Sequence, residues 1–178
     1  MWRKITVLIL LFYFFAILQS SFFAHFALFG ATPNLVFILF FLVCFFAKKS
    51  DNYLIIIFAA TAGIFLDVFS YSYLGPSIAL LLIIGFALKK AQSLLKNKED
   101  RYPVVYFLPL FTIFLVAYDL LLGASLYFLD SNRLRMDFGV QTIFYVIYNA
   151  AVASLLFYIY KKIPKPSGSK QISLFKKN

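Results

Sequence analysis

Charged side chains are scarce in this 178-residue sequence: they make up 13% of it, against about 25% in a typical soluble domain. Histidine and cysteine each occur once, which excludes an internal disulfide and a cysteine-histidine metal site. Cys44 lies within an apolar run and is most simply a small buried side chain. No phosphate-binding glycine loop, His-Glu-x-x-His pair or Gly-x-Ser-x-Gly turn is present. We therefore predict a protein that is not an enzyme, with no catalytic residue, cofactor or bound metal.

Hydrophobic residues, at 63% of the chain, come in runs too long for a globular core. About 20 apolar residues at 1.5 Å each cross a hydrocarbon layer of roughly 30 Å. The sequence thus predicts an all-α membrane protein, a bundle of about six transmembrane helices. A single integral-membrane domain would occupy residues 1–160, followed by a basic cytoplasmic tail, 161–178. The predicted spans are 5–29, 33–47, 53–70, 75–88, 103–129 and 138–160.

The 17 lysine and arginine residues indicate the orientation of these spans. Fifteen of them flank the helices on one side, and only Arg133 and Arg135 lie on the other. Cytoplasmic loops are enriched in basic residues, so both termini are predicted to lie in the cytoplasm. The chain is expected to cross a bacterial inner (cytoplasmic) membrane several times. The same placement, in short clusters between apolar runs, argues against nucleic-acid binding. The basic tail is expected to contact anionic lipids; a docking segment anchored by Ile172, Leu174 and Phe175 is the alternative.

Two acids stand inside the predicted spans, Asp67 and Asp119. An aspartate at mid-membrane costs roughly 2.5–3.5 kcal/mol on insertion scales, so each should face another helix. Ala59 and Gly63 precede Asp67 at intervals of four residues, and Gly123 follows Asp119 by four. Small residues at this spacing allow close helix packing. With Gly75, which marks a turn, they form the predicted helix-packing motif.

Other polar residues fall at a similar predicted depth. Counted along their spans, Gln19, Asp67 and Asp119 lie about 21–24 Å from the inner surface, and Asn34 and Asn149 about 17–20 Å. We hypothesise one intramembrane polar layer formed by Gln19, Asn34, Asp67, Asp119 and Asn149. It could hold helices together, contact a partner or lipid, or handle protons or a solute. His25, near the outer end of the first span, is expected to be an interfacial polar residue.

Three segments resemble one known family. They are Pro33–Phe41 (PNLVFILFF), Gly63–Ser70 (GIFLDVFS) and Leu74–Ser77 (LGPS), and their order and spacing are similar to those of the bacterial rod shape-determining protein MreD. The similarity covers about residues 8–95; beyond these the chain is similar in hydropathy alone. Tyr71 stands where that pattern has a glycine.

The resemblance implies a non-enzymatic component of the cell-elongation machinery (elongasome). Such a scaffold would bind the membrane-anchored MreC and help couple MreB filaments to peptidoglycan synthases, and so regulate cell shape. The family's six helices are thought to be arranged like the substrate-binding subunit of energy-coupling-factor transporters. This likeness gives the alternative function, a solute-binding membrane subunit, which would have an outward cavity lined by Gln19, Asp67 and Asp119.

Overall fold

The computed structural model describes residues 2–47, 52–70, 73–99, 103–129 and 140–162. Over these ranges the protein has six α-helices and no β-strand: α1 (Trp2–Ile17), α2 (Leu35–Phe46), α3 (Asn52–Phe69), α4 (Pro76–Glu99), α5 (Pro103–Leu129) and α6 (Val140–Lys162). Four segments are long and apolar enough to cross a membrane: Ile5–Phe23, Pro76–Leu94, Tyr106–Leu129 and Val140–Lys162. The helices α2 and α3 are shorter but also apolar. The prediction of an all-α chain with long apolar helices is therefore confirmed for the described residues.

Prolines begin two of the helices. Pro76 and Pro103 are the first residues of α4 and α5, positions where a missing backbone N–H costs nothing. The chain differs from prediction after Leu88, where the sequence indicated a connector. Instead α4 continues to Glu99, and its 24 residues extend about 36 Å. The predicted outer loop 130–137 and the tail beyond Lys162 lie outside the described residues.

The first predicted span also ends earlier than expected. After Ile17 the helix widens into a π-helical segment, Leu18–Phe23, and from Ala24 to Asn34 the chain is irregular. Part of this irregular stretch is buried, as Ala31 is only 2% exposed. Non-helical backbone is tolerated at membrane depth where it is buried within protein. The chain thus returns into the bundle before α2 begins.

The 12-residue helix α2 occupies the centre of the bundle and contacts each of the other five helices. Every residue from Leu35 to Leu42 is buried. Its sequence, LVFILFFLVCFF, contains no charged or amide side chain that would need a partner. A helix that is apolar all round can be enclosed on every side. The five longer helices therefore surround the short apolar helix α2.

Phenylalanine rings fill the space between α2 and the surrounding helices. On α2, Phe41 lies with its ring centroid 5.3 Å from that of Phe111 and 5.6 Å from that of Phe107, both edge to face. Phe45 continues the stack, 5.2 Å from Phe107 and 6.3 Å from Phe157. Edge-to-face rings at these distances add attraction beyond their buried area. The stack gives a structural use to many of the 24 phenylalanines in the sequence.

Candidate functional site

Asp67, in the last turn of α3, caps the first turn of α4. One carboxylate oxygen accepts a hydrogen bond from the backbone N–H of Gly75 at 2.7 Å, and the other from that of Ser77 at 3.2 Å. The side chain is completely buried. The first N–H groups of a helix have no partner within the helix, and a carboxylate there also complements the helix dipole. Asp67 thus joins two consecutive helices across their connection.

Gly63 allows α3 and α4 to approach closely enough for this contact. A Cβ atom at Gly63 would lie 2.5 Å from the Cα of Ile78 and 2.6 Å from its backbone nitrogen. Ala59, one turn earlier, is fully buried. Gly75 has a different role, because no atom lies within 4 Å of a Cβ placed there, but its φ is +120°. At this φ a side chain would strain the turn that presents the Gly75 N–H to Asp67.

The first turn of α2 is capped by side chains from three parts of the chain. Asn34 accepts from the N–H of Phe37 at 3.0 Å, Gln19 from that of Val36 at 3.3 Å, and Asn149 from that of Asn34 itself at 2.7 Å. The Asn149 side chain is fully buried and donates to the carbonyl of Tyr145. Three of the five residues of the hypothesised layer therefore meet at one helix end.

The other end of α2 is bound by α4. Lys89 donates to the carbonyl of Ala47, and Gln92 to that of Phe45 at 2.8 Å. The final carbonyls of a helix lack partners within the helix and favour positive charge. This contact explains why α4 continues beyond Leu88, since its extension carries both side chains to α2. Sequence reasoning missed these two residues because it treated them as part of a solvated connector.

Asp119, the second intramembrane acid, has fewer partners. One carboxylate oxygen accepts from the hydroxyl of Tyr145, on α6, at 3.3 Å. No other donor to Asp119 occurs among the described residues. The side chain is half-buried, whereas Asp67 is completely enclosed. Gly123, one turn further along α5, is also half-buried.

Tyrosine hydroxyls link these contacts, and sequence reasoning did not select them. Tyr118 is 1% exposed and donates to the Ser77 hydroxyl at 3.0 Å, beside the Asp67 cap. Tyr145 connects α6 to Asp119. Both tyrosines lie in apolar runs, where a buried hydroxyl has to find a partner. The two acids therefore belong to separate contacts. Tyr118 takes part in the contact beside Asp67, and the next residue of α5, Asp119, takes part in the other.

A small cavity of about 180 Å³ lies beside the π-helical segment. Its lining includes Gln19, Ser20 and Thr32 together with Phe65 and Phe69, and neither Asp67 nor Asp119 contributes to it. Sites for small molecules usually measure about 300–1,000 Å³. The cavity has room for one ring or a short chain.

No group of three or more metal-ligating side chains occurs in the part of the chain that the structure describes. His25 is exposed, and its Nδ1 lies 2.7 Å from the carbonyl oxygen of Ser21, one turn earlier. Cys44 is buried in the core. Within the described ranges, the polar contacts join one helix to another through hydrogen bonds.

The family profile of the rod shape-determining protein MreD matches residues 1–163. The chain belongs to the MreD family. Comparison with curated proteins and with solved structures finds no match. The match extends the resemblance beyond residues 8–95 to all six described helices, and the long apolar helices agree with a membrane protein. Membership in the MreD family gives this protein a role in determining rod shape.

Proposed function

We propose that this protein is a non-enzymatic scaffold of the cell-elongation machinery in the bacterial inner membrane. It binds the membrane-anchored MreC side by side and helps couple MreB filaments to peptidoglycan synthases. The observation that carries this proposal is the match to the MreD family over residues 1–163. The shape of the molecule supports it, because the polar groups are used to join helices and the outward faces of those helices remain apolar.

Those outward faces offer large apolar side chains for lateral binding. The exposed residues include Val7 and Leu10 on α1, Ile113 and Leu120 on α5, and Ile143 and Ile147 on α6. In a membrane, such faces associate by packing and by interhelical hydrogen bonds. A scaffold needs stable faces of this kind, and the internal caps of α2 and α4 supply the rigidity.

The proposed topology has six spans with both termini in the cytoplasm. Lys161 and Lys162 are exposed at the end of α6 that it places inside, and Lys90, nine residues before the end of α4, is exposed as well. These residues and the basic tail are proposed to contact anionic lipid headgroups. The likeness to the substrate-binding subunit of energy-coupling-factor transporters belongs to the same proposal and concerns the arrangement of helices.

The alternative function, solute binding, receives less support. The cavity described beside the π-helical segment, about 180 Å³, is smaller than usual small-molecule sites, and the two intramembrane acids do not line it. The Asp67 carboxylate is already engaged by two backbone N–H groups. The geometry thus favours binding between membrane proteins.

Depletion in the native cell tests the scaffold proposal. Cells lacking the protein are expected to widen and become round, and re-expression of the full chain is expected to restore their width. In parallel, tagged protein is purified from membranes in mild detergent, and MreC is measured by immunoblot. An unrelated polytopic membrane protein with the same tag is the control. Unchanged cell width after complete depletion would contradict the proposal.

A further inference from the structure

The two intramembrane acids differ in what they still have to bind. Both oxygens of Asp67 accept backbone N–H groups, so the side chain is satisfied inside the protein. Asp119 has one donor, a hydroxyl at 3.3 Å, which is long for an O–H···O bond. Its second oxygen accepts from no described residue. A carboxylate left in this state within hydrocarbon calls for a further donor.

The position of Asp119 shows from where that donor can come. It is the 17th of the 27 residues of α5, within about 5 Å of the middle of the helix. Ten helical residues, about 15 Å, separate it from the C-terminal end of α5, so it lies within the helix and away from its ends. Its one hydrogen-bond donor among the described residues, Tyr145, is on α6, so the acid lies at the boundary between α5 and α6. Because the side chain is half-buried, a neighbouring molecule can reach it from the side.

The surroundings of Asp119 suit a packed helix. Val116 and Leu120, beside Asp119 on α5, are 38% and 41% exposed. Gly123 lies one turn from Asp119 on the same side of α5, so the backbone of another helix can come close. An apolar face with one acceptor about 15 Å from the C-terminal end of α5 is complementary to an apolar helix with one donor at the same depth.

We propose that the α5–α6 face around Asp119 binds a membrane-spanning helix of the partner through a hydrogen-bond-donating side chain at the depth of Asp119. The donor is a lysine, an arginine or an amide, and it occupies the second oxygen of Asp119. Tyr145 holds the first oxygen and so orients the carboxylate. This inference rests on the proposed function, and it adds the face, the residue and the chemistry of the contact.

Site-specific photocrosslinking in intact cells tests the face. A photoreactive phenylalanine analogue replaces Leu120 in the full chain, and crosslinked MreC is detected by immunoblot. The matched control replaces Ile83 on α4, which is 59% exposed. Ile83 lies seven residues from the first residue of α4, and Leu120 lies nine residues from the last residue of α5. A crosslink to MreC from position 120 and none from position 83 supports the proposal. Crosslinks from position 120 only to lipid, or only to a second copy of this chain, would overturn it.

Substitution of the acid tests its chemistry. Asp119→Leu removes the acceptor, and MreC recovery is expected to fall about 3- to 20-fold, the range for one interhelical hydrogen bond in a membrane. Asp119→Asn keeps an acceptor oxygen without the charge. Loss in both variants indicates a cationic donor, and loss in the leucine variant alone indicates an amide. Full recovery with both variants would refute the role of Asp119.

The two proposals fail in different ways. If the unsubstituted chain recovers no MreC, the scaffold proposal fails before the face is in question. If it recovers MreC while position 120 yields no MreC crosslink, the face is wrong and the scaffold proposal stands. The crosslinking experiment retains Asp119, so it gives an answer even if the leucine variant does not fold.

Discussion

Replacement of Asp67 by alanine should destabilise the protein more than replacement of Asp119. Asp67→Ala removes both acceptors of the α4 cap and leaves the N–H groups of Gly75 and Ser77 without them. An orphaned buried donor costs about 1–3 kcal/mol, and Gly75 is only half-buried, so water can compensate part of its loss. We expect a decrease of about 2–4 kcal/mol in the free energy of unfolding, above the usual range of about 0.5–2 kcal/mol for a lost cap.

Two further variants make this measurement decisive. Asp67→Asn keeps one acceptor oxygen and should lose about half as much, roughly 1–2 kcal/mol. Asp119→Ala removes a single long bond from Tyr145 and should lose about 1 kcal/mol or less. Stability is measured by titrating denaturing detergent into mixed micelles and following helix content. Equal loss in Asp67→Ala and Asp119→Ala would show that the cap does not stabilise the bundle as argued.

Three other predictions follow from packing, capping and topology. Gly63→Ala places a Cβ 2.5 Å from the backbone of α4 and should lower the free energy of unfolding by about 1–3 kcal/mol. Gly85→Ala places a Cβ 2.5 Å from the Cγ2 of an isoleucine side chain, which can move, so its loss of stability should be smaller. Equal melting temperatures of the two variants would contradict this. Asn149→Leu deprives α2 of a buried acceptor and should reduce the yield of monodisperse protein in detergent, with unchanged yield as the contrary result. A cysteine in place of Phe29 (73% exposed) should react with a membrane-impermeant thiol reagent in intact cells. A cysteine in place of Leu94 (81% exposed) should react only after the cells are permeabilised. The reverse pattern would contradict the proposed topology.

Hydropathy predicts where helices lie, because a hydrocarbon layer demands long apolar runs wherever the chain crosses it. It gives α5 at 103–129 with the observed bounds and α6 to within two residues at each end. It could not predict that α4 continues to Glu99, because Lys89 and Gln92 are polar. Lys89 and Gln92 are helical because they donate hydrogen bonds to carbonyls at the end of α2, which is more than 40 residues away in the sequence.

The candidate site, too, could be predicted only in part from the sequence. Counting residues along the spans gave Gln19, Asn34 and Asn149 a common depth, and the structure brings these three together. The sequence could not show that they cap α2, because a cap depends on which helix ends face each other. The different states of Asp67 and Asp119 were equally hidden. In the sequence both are single acids in apolar runs, and only the donors around them distinguish a structural carboxylate from an open one.

The central position of α2 has a consequence for how the protein is made. Gln19 and Asn34, which cap α2, precede it in the chain, but Asn149, which accepts from the Asn34 N–H, comes 115 residues after Asn34. The helix α2 therefore leaves the ribosome long before its cap is complete. A helix of 12 residues spans about 18 Å and is too short to cross the bilayer by itself. During synthesis α2 therefore has to be held by the insertion machinery or by its early neighbours. The bundle can close around it only when α6, the last of the six described helices, has been synthesised.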